Sequence, residues 1–278
     1  MGRSVEAEWR ERLDRWSAGI PLDQALHQVA VDEGSDAPFS VVDQGLDALA
    51  AGVVAARDPL EQLRNVVRHL FDGLGFRGDR ESYDAPENSR IDRVLERRRG
   101  LPITLSAVVL EVGRRRGLAL VGVGFPGHFL VGTAGEPRLF VDPFDQGRIR
   151  RRSELAHDLR ARFGDLDDAQ IAHALAPTST HDLLVRVSGN LLGSWTRRSN
   201  LAAALPNADR RVALRPDVPE FRRDRGLVRA ELGLGEEAAF DLGSYLAERP
   251  DAPDAAAIRW RIAVAAHAGA VTRPPAGA

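Results

Sequence analysis

Residues 101–142 read LPITLSAVVLEVGRRRGLALVGVGFPGHFLVGTAGEPRLFVD, and this stretch decides the fold. Its first part runs from Pro102 to Gly117 and is apolar on almost every side, which predicts a helix buried on several faces. The apolar period then changes to two, which is typical of strands. Three short antiparallel strands are predicted, at 118–125, 128–132 and 138–142. A buried helix that leads into such a meander is an α+β arrangement.

Composition places the chain among ordinary globular proteins and limits its chemistry. The 278 residues are 44% hydrophobic and 28% charged, which excludes a disordered chain. There is no cysteine, so no thiolate is available as a nucleophile or metal ligand. The formal net charge of −2 predicts no nucleic-acid partner. Because no long apolar run or apolar leader occurs, we also predict no membrane partner and a cytoplasmic location.

Arginine supplies every strongly basic side chain, because the sequence contains no lysine. Clusters of three arginines occur at 97–99, 114–116 and 150–152. An Arg-rich, Ala-rich chain reflects codon usage more readily than function. We therefore expect these clusters to be solvated helix ends and loops rather than a binding surface.

A repeat of 34 residues marks the C-terminal part of the chain. RPDVPE at 215–220 recurs as RPDAPD at 249–254, and the spacing 250 − 216 = 34 is the period of tetratricopeptide repeats. In this register Ala204 and Ala238 fall where the two helices of a repeat touch. The first helix of each repeat also has one position for a small residue and one for an aromatic residue. These positions are occupied by Leu192 and Trp195 in the first repeat, and by Gly226 and Arg229 in the second. The leucine and the arginine depart from the pattern, and a generic hairpin of proline-stopped helices is the alternative.

Three motifs in the centre of the chain resemble the SirB-type branch of the transglutaminase-like superfamily. They read NSRIDRVLERRRGLPITLSAVVLEVGRRRGL at 88–118, VGVGFPGHFLV at 121–131 and LFVDPF at 139–144. The resemblance covers most of residues 20–265, and the repeats fit that branch too. It implies a papain-like arrangement in which a cysteine at the N-terminus of the central helix attacks an acyl group. A histidine on the adjacent strand is then the base, and an aspartate on the next strand orients the imidazole.

Carried onto this sequence, the resemblance implies that His128 and Asp142 occupy the histidine and aspartate positions, and that Pro102 stands in the cysteine position. The nearest hydroxyls are those of Thr104 and Ser106. Thr104 is a candidate replacement nucleophile, although a first-turn hydroxyl bonded to backbone is the simpler expectation for it. For Ser106 we expect a core serine bonded to a carbonyl. Two further alternatives stay open, in which His128 only holds its turn and Asp142 only caps the strand end.

Motifs for cofactors and metals are missing from the sequence. It contains no HExxH, no phosphate-binding GxxxxGK and no GxGxxG after a predicted strand. The remaining histidines of the central region are scattered through predicted helices and loops. We therefore predict no cofactor and no metal.

The predicted fold class is α+β, with a transglutaminase-like helix-on-antiparallel-sheet domain followed by an all-α repeat module. The predicted segments are N-terminal helices packed on the main domain (1–36), the main domain (37–176), the repeats (177–270) and a disordered tail (271–278).

Two functions stay open at this point. The first is a degenerate, non-catalytic transglutaminase-like protein that acts in regulation or protein interaction and binds a protein or peptide through residues 182–264. The second is an acyl hydrolase or amidase that uses His128 and Asp142 with the Thr104 hydroxyl or an activated water. The missing cysteine favours the first function, and the retained histidine and aspartate keep the second open.

Overall fold

The structure is a computed structural model in which residues 4–135 and 138–272 are described. The chain divides into two compact units. The sheet unit is Gly19–Val187, and the repeat unit comprises the described residues of Met1–Ala18 and Ser188–Ala278. The helices are α1 Val5–Arg15, α2 Leu22–Asp32, α3 Phe39–Ala51, α4 Pro59–Val67, α5 Ile91–Arg97, α6 Pro102–Arg115, α7 Arg152–Phe163, α8 Asp168–Ala174, α9 Thr180–Arg197, α10 Leu201–Leu214, α11 Pro219–Glu231, α12 Gly235–Glu248 and α13 Ala255–Thr272. The strands are β1 Arg77–Gly78, β2 Arg99–Gly100, β3 Leu120–Val123, β4 Leu130–Thr133, β5 Leu139–Asp142, β6 Arg148–Arg151 and β7 Pro177–Thr178.

The sheet unit contains an antiparallel sheet with strand order β6-β5-β4-β3-β7. β3, β4 and β5 form the expected meander, in which Val123 lies opposite Leu130 and Val131 opposite Val141. The α+β prediction is confirmed. β6 and β7 were not predicted, because the sequence RIRR has no apolar alternation and the two-residue β7 begins with proline.

Helix α6 is buried against this sheet, as its apolar sequence predicts. All side chains of residues 102–109 are buried, and a Cβ on Gly122 of β3 would lie 3.8 Å from Leu110 of α6. Successive strand residues point to opposite faces, so the sheet has a second face to cover. There Val123, Leu130 and Phe140 pack with Leu155 and Leu159 of α7, with Ile171 of α8 and with Leu175, which follows α8. The central meander is therefore covered on both faces.

Helix α1 belongs to the repeat unit, which corrects the predicted grouping of residues 1–36. Its Trp9 is buried, and the guanidinium carbon of Arg210 in α10 lies 5.2 Å from the ring centroid. By contrast, α2 contacts α3, α5 and α6 of the sheet unit. One amphipathic helix can pack on either unit, so the sequence pattern did not show which.

The boundary between the units also differs from the predicted one at 176/177. β7 pairs with β3, and residues 177–187 therefore belong to the sheet unit. The division falls within α9, between Val187 and Ser188. Of the predicted tail, 271–278, the first two residues end α13 and the others lie outside the described residues.

The repeat unit consists of packed helix pairs, as the 34-residue period predicts. Ala204 and Ala238 are completely buried at the predicted contact positions. A Cβ on Gly226 of α11 would lie only 2.8 Å from Leu242 of α12, so this position admits no larger side chain without a shift. The register is therefore supported by the contact alanines of both repeats and by the small position of the second.

A buried charge network accompanies the apolar core of the second repeat. Arg225 of α11 donates to Asp241 of α12 at 2.8 Å and 2.7 Å. It also donates to Asp209 of α10 at 3.2 Å and contacts Glu6 of α1. Arg229, one turn further along α11, bonds both aspartates at 2.8 Å and 3.1 Å. The arginine that departs from the repeat pattern is thus part of an ionic contact between four helices.

Ala238→Leu should lower the free energy of unfolding of the repeat unit by about 1–3 kcal/mol, because a larger side chain overpacks a closed helix crossing. The control is Ala247→Leu, which adds the same side chain at an exposed position of the same helix. Thermal denaturation of both variants measures the effect. Equal melting temperatures for the two variants would contradict the repeat register.

Candidate functional site

His128 and Asp142 are in contact at one end of the central sheet. His128 Nε2 lies 2.7 Å from Asp142 Oδ1. The same oxygen accepts the backbone N–H groups of Phe144 and Asp145, both at 3.1 Å. The carboxylate is thereby fixed, and it in turn fixes the imidazole ring. Among the described residues, the other ring nitrogen of His128, Nδ1, has no hydrogen-bond partner.

The chain reaches this geometry through two turns. His128 lies in the turn before β4, rather than on the strand as predicted, and its N–H donates to the Phe125 carbonyl at 2.8 Å. Gly127 has a φ of +72°, a conformation that glycine adopts without strain. Asp142 ends β5 and begins the 3₁₀ turn Pro143–Asp145. Because β4 and β5 are antiparallel neighbours, the start of one and the end of the other lie side by side.

Aromatic and cationic side chains surround the histidine. The Phe144 ring packs edge-to-face on His128, with a centroid distance of 6.1 Å, and on Tyr83 at 5.8 Å. Arg186 of α9 donates to the His128 carbonyl at 2.9 Å and lies over the Phe129 ring at 5.1 Å. Burial lowers the pKa of Arg186, although nearby Tyr83 opposes this shift. Among the described residues no carboxylate lies within ion-pair distance of Arg186, and sequence analysis did not single this residue out.

The first turn of α6 offers no nucleophile to this histidine. Pro102 is the first helical residue and is buried. The buried Thr104 hydroxyl donates to the Asn88 carbonyl at 2.5 Å and accepts the Leu101 N–H at 3.1 Å. The Ser106 hydroxyl is also buried and lies 3.4 Å from the Phe129 carbonyl. Both hydroxyls therefore bond to backbone groups, and neither forms a hydrogen bond with the His128 ring.

A polar network around Asn88 positions the start of α6, and sequence reasoning missed it. The Asn88 side chain is completely buried and donates to the Ser82 carbonyl at 2.7 Å, while its Oδ1 accepts from Arg97 at 3.0 Å. Arg97 also donates to Asp79 at 3.1 Å, and Asp79 accepts the Ser82 N–H at 2.9 Å. These contacts fix the loop that carries Tyr83. No local pattern in the sequence marks a buried asparagine of this kind.

Asp79 should make the stability of the sheet unit depend on pH in the acidic range. Burial would raise the pKa of Asp79, but hydrogen bonds from Ser82, Asn88 and Arg97 outweigh it and hold the pKa below its usual value. Because the folded-state pKa is lowered, the stabilisation is present above the unfolded-state pKa of about 3.9 and is lost as the pH falls through the folded-state value. Asp79→Asn should cost about 1.5–3 kcal/mol at pH 7.

Chemical denaturation of the wild type and Asp79→Asn between pH 3 and pH 8 measures this difference. It should be constant above about pH 5 and shrink below about pH 4. Exposed Asp84→Asn, in the same loop, is the control. A difference that grows as the pH falls would contradict the assigned sign.

The site offers little to a metal ion. Among residues 4–135 and 138–272 no group of three or more histidine or acidic side chains could hold one. His128 and Asp142 supply two ligands, and their mutual hydrogen bond already uses one atom of each. Within the same described ranges, no helix is long and apolar enough to cross a bilayer.

Comparison with known proteins identifies both parts of the chain. Residues 40–189 match the transglutaminase-like superfamily and residues 191–263 match the tetratricopeptide repeat. A UPF0162 protein of Xylella fastidiosa (strain 9a5c) is 39% identical over 250 residues, which is 87% of this chain and 89% of that protein. Protein SirB1 of Salmonella typhimurium is 26% identical over 223 residues, 74% of this chain and 77% of that protein. UPF0162 protein YchA of Escherichia coli (strain K12) is 27% identical over 239 residues, 80% and 83% of the respective chains.

No solved structure matches the chain. The resemblance drawn from the three central motifs is confirmed by the matches over both regions. The identity to the Xylella protein extends over most of both chains and so includes the sheet unit and the repeats together. The chain therefore belongs to the SirB1/UPF0162 family of transglutaminase-like proteins with C-terminal tetratricopeptide repeats.

Proposed function

We propose that this protein is a non-catalytic member of the transglutaminase-like superfamily that acts through protein interaction. The observation that carries the proposal is that, within the described ranges, no hydroxyl group forms a hydrogen bond with the His128 ring. The chain has no cysteine, and a buried proline begins α6 where the family would place the thiol. The two nearest hydroxyls of α6, Thr104 and Ser106, bond to backbone carbonyls. An alcohol needs a base within hydrogen-bond reach to act as a nucleophile.

In this proposal the repeat region, residues 182–264, binds a protein or peptide partner. Helix surfaces in stacked repeats provide extended binding faces. The repeat unit exposes large apolar side chains that do not contribute to its core: Phe240 is 71% exposed and Trp260 is 61% exposed. Val264 lies one helical turn from Trp260 and is exposed too. The cytoplasmic location and the lack of a nucleic-acid or membrane partner remain predictions from composition.

The second candidate is a cysteine-independent acyl hydrolase or amidase. The observation that favours it is the 2.7 Å contact between His128 and Asp142, because a carboxylate-held imidazole is the usual general base of acyl transfer. With both hydroxyls of α6 bonded elsewhere, this candidate requires an activated water or a rearranged Thr104. A reactive hydroxyl and an unreactive one are distinguished directly by covalent probes.

Treatment with a fluorophosphonate probe should leave the protein unmodified, as measured by intact mass. The expected absence of an adduct follows from the buried hydroxyls, and His128→Ala serves as the control for nonspecific labelling. An adduct on Thr104 or Ser106 that disappears in His128→Ala would overturn the non-catalytic proposal.

The proposed interaction is tested separately. Capture of partners from a lysate of the source cells should weaken with Trp260→Ser and persist with Asp79→Asn.

Introducing a thiol at residue 102 tests whether Pro102 occupies the position of the family's cysteine. Because the chain has no cysteine, Pro102→Cys carries a single thiol. A helix N-terminus and an adjacent imidazole both favour a thiolate. If position 102 is the family's cysteine position beside His128, His128→Ala should therefore slow alkylation of Pro102→Cys by iodoacetamide about tenfold or more. Pro219→Cys is the matched control, since Pro219 is also a buried first-turn proline, of α11. Equal alkylation of Pro102→Cys with and without His128 would remove the proposal's main support.

A further inference from the structure

The sheet unit contains a cavity of about 760 Å³ that does not involve His128 or Asp142. It is lined by residues of α4, β5, β6, α7 and α8. This volume lies in the range of small-molecule sites, which are mostly apolar and carry a few placed polar groups. We call it the arginine cavity after the four arginines among its lining residues, Arg64, Arg138, Arg151 and Arg152.

The floor of the arginine cavity is apolar. Its accessible apolar side chains are those of Leu60, Leu139 and Ile149, whereas Phe140 and Leu175, which also line it, are only 1% exposed. Phe140 and Leu175 also belong to the core between the sheet and α8, so this part of the floor is held in place by the fold. An apolar floor of this kind stabilises a hydrocarbon or aromatic group by removing it from water.

The wall of the cavity is strongly positive in a chain whose net charge is negative. Glu154 is the acidic residue of the lining, and its carboxylate accepts the Arg151 N–H at 2.8 Å and pairs with Arg148 at 3.6 Å. Among the described residues, no carboxylate lies within ion-pair distance of Arg151 or Arg152, and Arg152 donates to the Asp168 backbone carbonyl at 3.3 Å. These two guanidiniums therefore retain donors for an external anion.

Helix α7 adds to this field, because it begins at Arg152 and is 12 residues long. The N-terminal end of a helix carries partial positive charge and unpaired N–H groups, both of which favour an anion. Arg151 immediately precedes this helix and Arg152 is its first residue. Their positive charges and the helix end therefore both favour binding of an anion. A ligand with an apolar body and one anionic head matches the floor and the wall together.

We propose that the arginine cavity binds a small amphipathic anion, with its carboxylate or phosphate head at Arg151 and Arg152 and its apolar body on Leu60, Leu139 and Ile149. The site is separate from the His128 region. A negative result for this site would therefore leave the non-catalytic function proposed above unaffected, and the reverse also holds.

Calorimetric titration of the full chain with decanoate, decyl phosphate, decanol and inorganic phosphate tests the proposal, with the amphiphiles kept below micelle formation. The two amphipathic anions should bind with saturation at one site. Decanol and inorganic phosphate should bind about tenfold more weakly or not at all, because each lacks one of the two recognised parts. The ratio of decanoate to decyl phosphate affinity identifies the preferred head group.

Arg151→Gln/Arg152→Gln should weaken binding of both anions about tenfold or more and leave decanol binding unchanged. The matched control is Arg77→Gln/Arg98→Gln, which removes two arginines of the same unit outside the cavity. A third variant, Ala172→Phe, places a ring at the cavity while all arginines remain, and it should also abolish binding. Unsaturable uptake, equal binding of decanol, or equal losses in the control would overturn the proposal.

Discussion

Arg225→Met is expected to lower the free energy of unfolding of the repeat unit by about 3–5 kcal/mol, the usual cost of removing one partner from a buried ionic contact. Arg225 is 4% exposed and Asp241 is completely buried. Without the guanidinium, Asp241 and Asp209 retain Arg229 alone, and Glu6 retains Arg10. Methionine fills a similar volume, so the change tests charge more than packing.

Tryptophan fluorescence measures this effect selectively. All four tryptophans, Trp9, Trp16, Trp195 and Trp260, lie in the repeat unit. Urea denaturation followed by this signal therefore reports the repeat unit alone.

Removing the carboxylate partner as well should recover part of the loss, so Arg225→Met/Asp241→Leu is the compensating control. The deficit of the single variant should also be smaller at pH 5 than at pH 8. Burial raises the pKa of Asp209, although Arg229 and Arg225 oppose this shift, and protonation relieves an uncompensated carboxylate as the pH falls. A cost below about 1 kcal/mol for Arg225→Met would mean that the network behaves as a surface contact.

Arg115→Met should destabilise the sheet unit by a similar amount, about 3–5 kcal/mol. Its side chain is 10% exposed and joins α6 to two other helices through carboxylates. The distances are 3.1 Å to Asp23, 2.6 Å to Asp43, 2.7 Å to Asp47 and 2.5 Å to Glu111. Far-UV circular dichroism, with hydrogen exchange of the α6 peptide, measures the loss.

The adjacent arginine supplies the control for this prediction. Arg114 contacts two of the same carboxylates, those of Asp23 and Glu111, but its side chain is 60% exposed. Arg114→Met should therefore cost about 1 kcal/mol or less. Equal effects of the two substitutions would show that burial does not set the strength of these contacts.

The arginine clusters show where sequence reasoning reaches its limit. We expected the three clusters to be solvated, and this is wrong for Arg97, Arg115 and Arg150, which all pair with a carboxylate and are largely withdrawn from solvent. Successive helical residues are about 100° apart, so in α6 Arg115 can face its neighbours while Arg114 faces water. The cluster 97–99 runs from the end of α5 into β2, so its side chains point in different directions as well. Which arginine of a cluster faces a neighbour depends on acids from distant segments, such as Asp43 and Asp79, and a run of identical residues does not reveal it.

The elements with strong periodicity were predictable, and the polar contacts were not. Helix α6, the meander and the small positions of the repeats follow from apolar spacing, because packing selects those residues directly. The proximity of His128 and Asp142 was expected from family resemblance together with strand order. Asn88 and Arg186 were missed because their partners are backbone carbonyls and rings, which leave no pattern along the chain.

The placement of α1 has a consequence for the order of synthesis. Glu6 and Arg225 are 219 residues apart. At translation rates of about 5–20 residues per second, the first helix is made roughly 10–40 s before its ionic partner. A single helix of this length is only marginally stable in water, so Trp9 stays unpacked until the helices it packs against have been made. The sheet unit is continuous in sequence and can complete its folding during that interval, whereas the repeat unit is completed afterwards, with a helix that was made before the sheet unit.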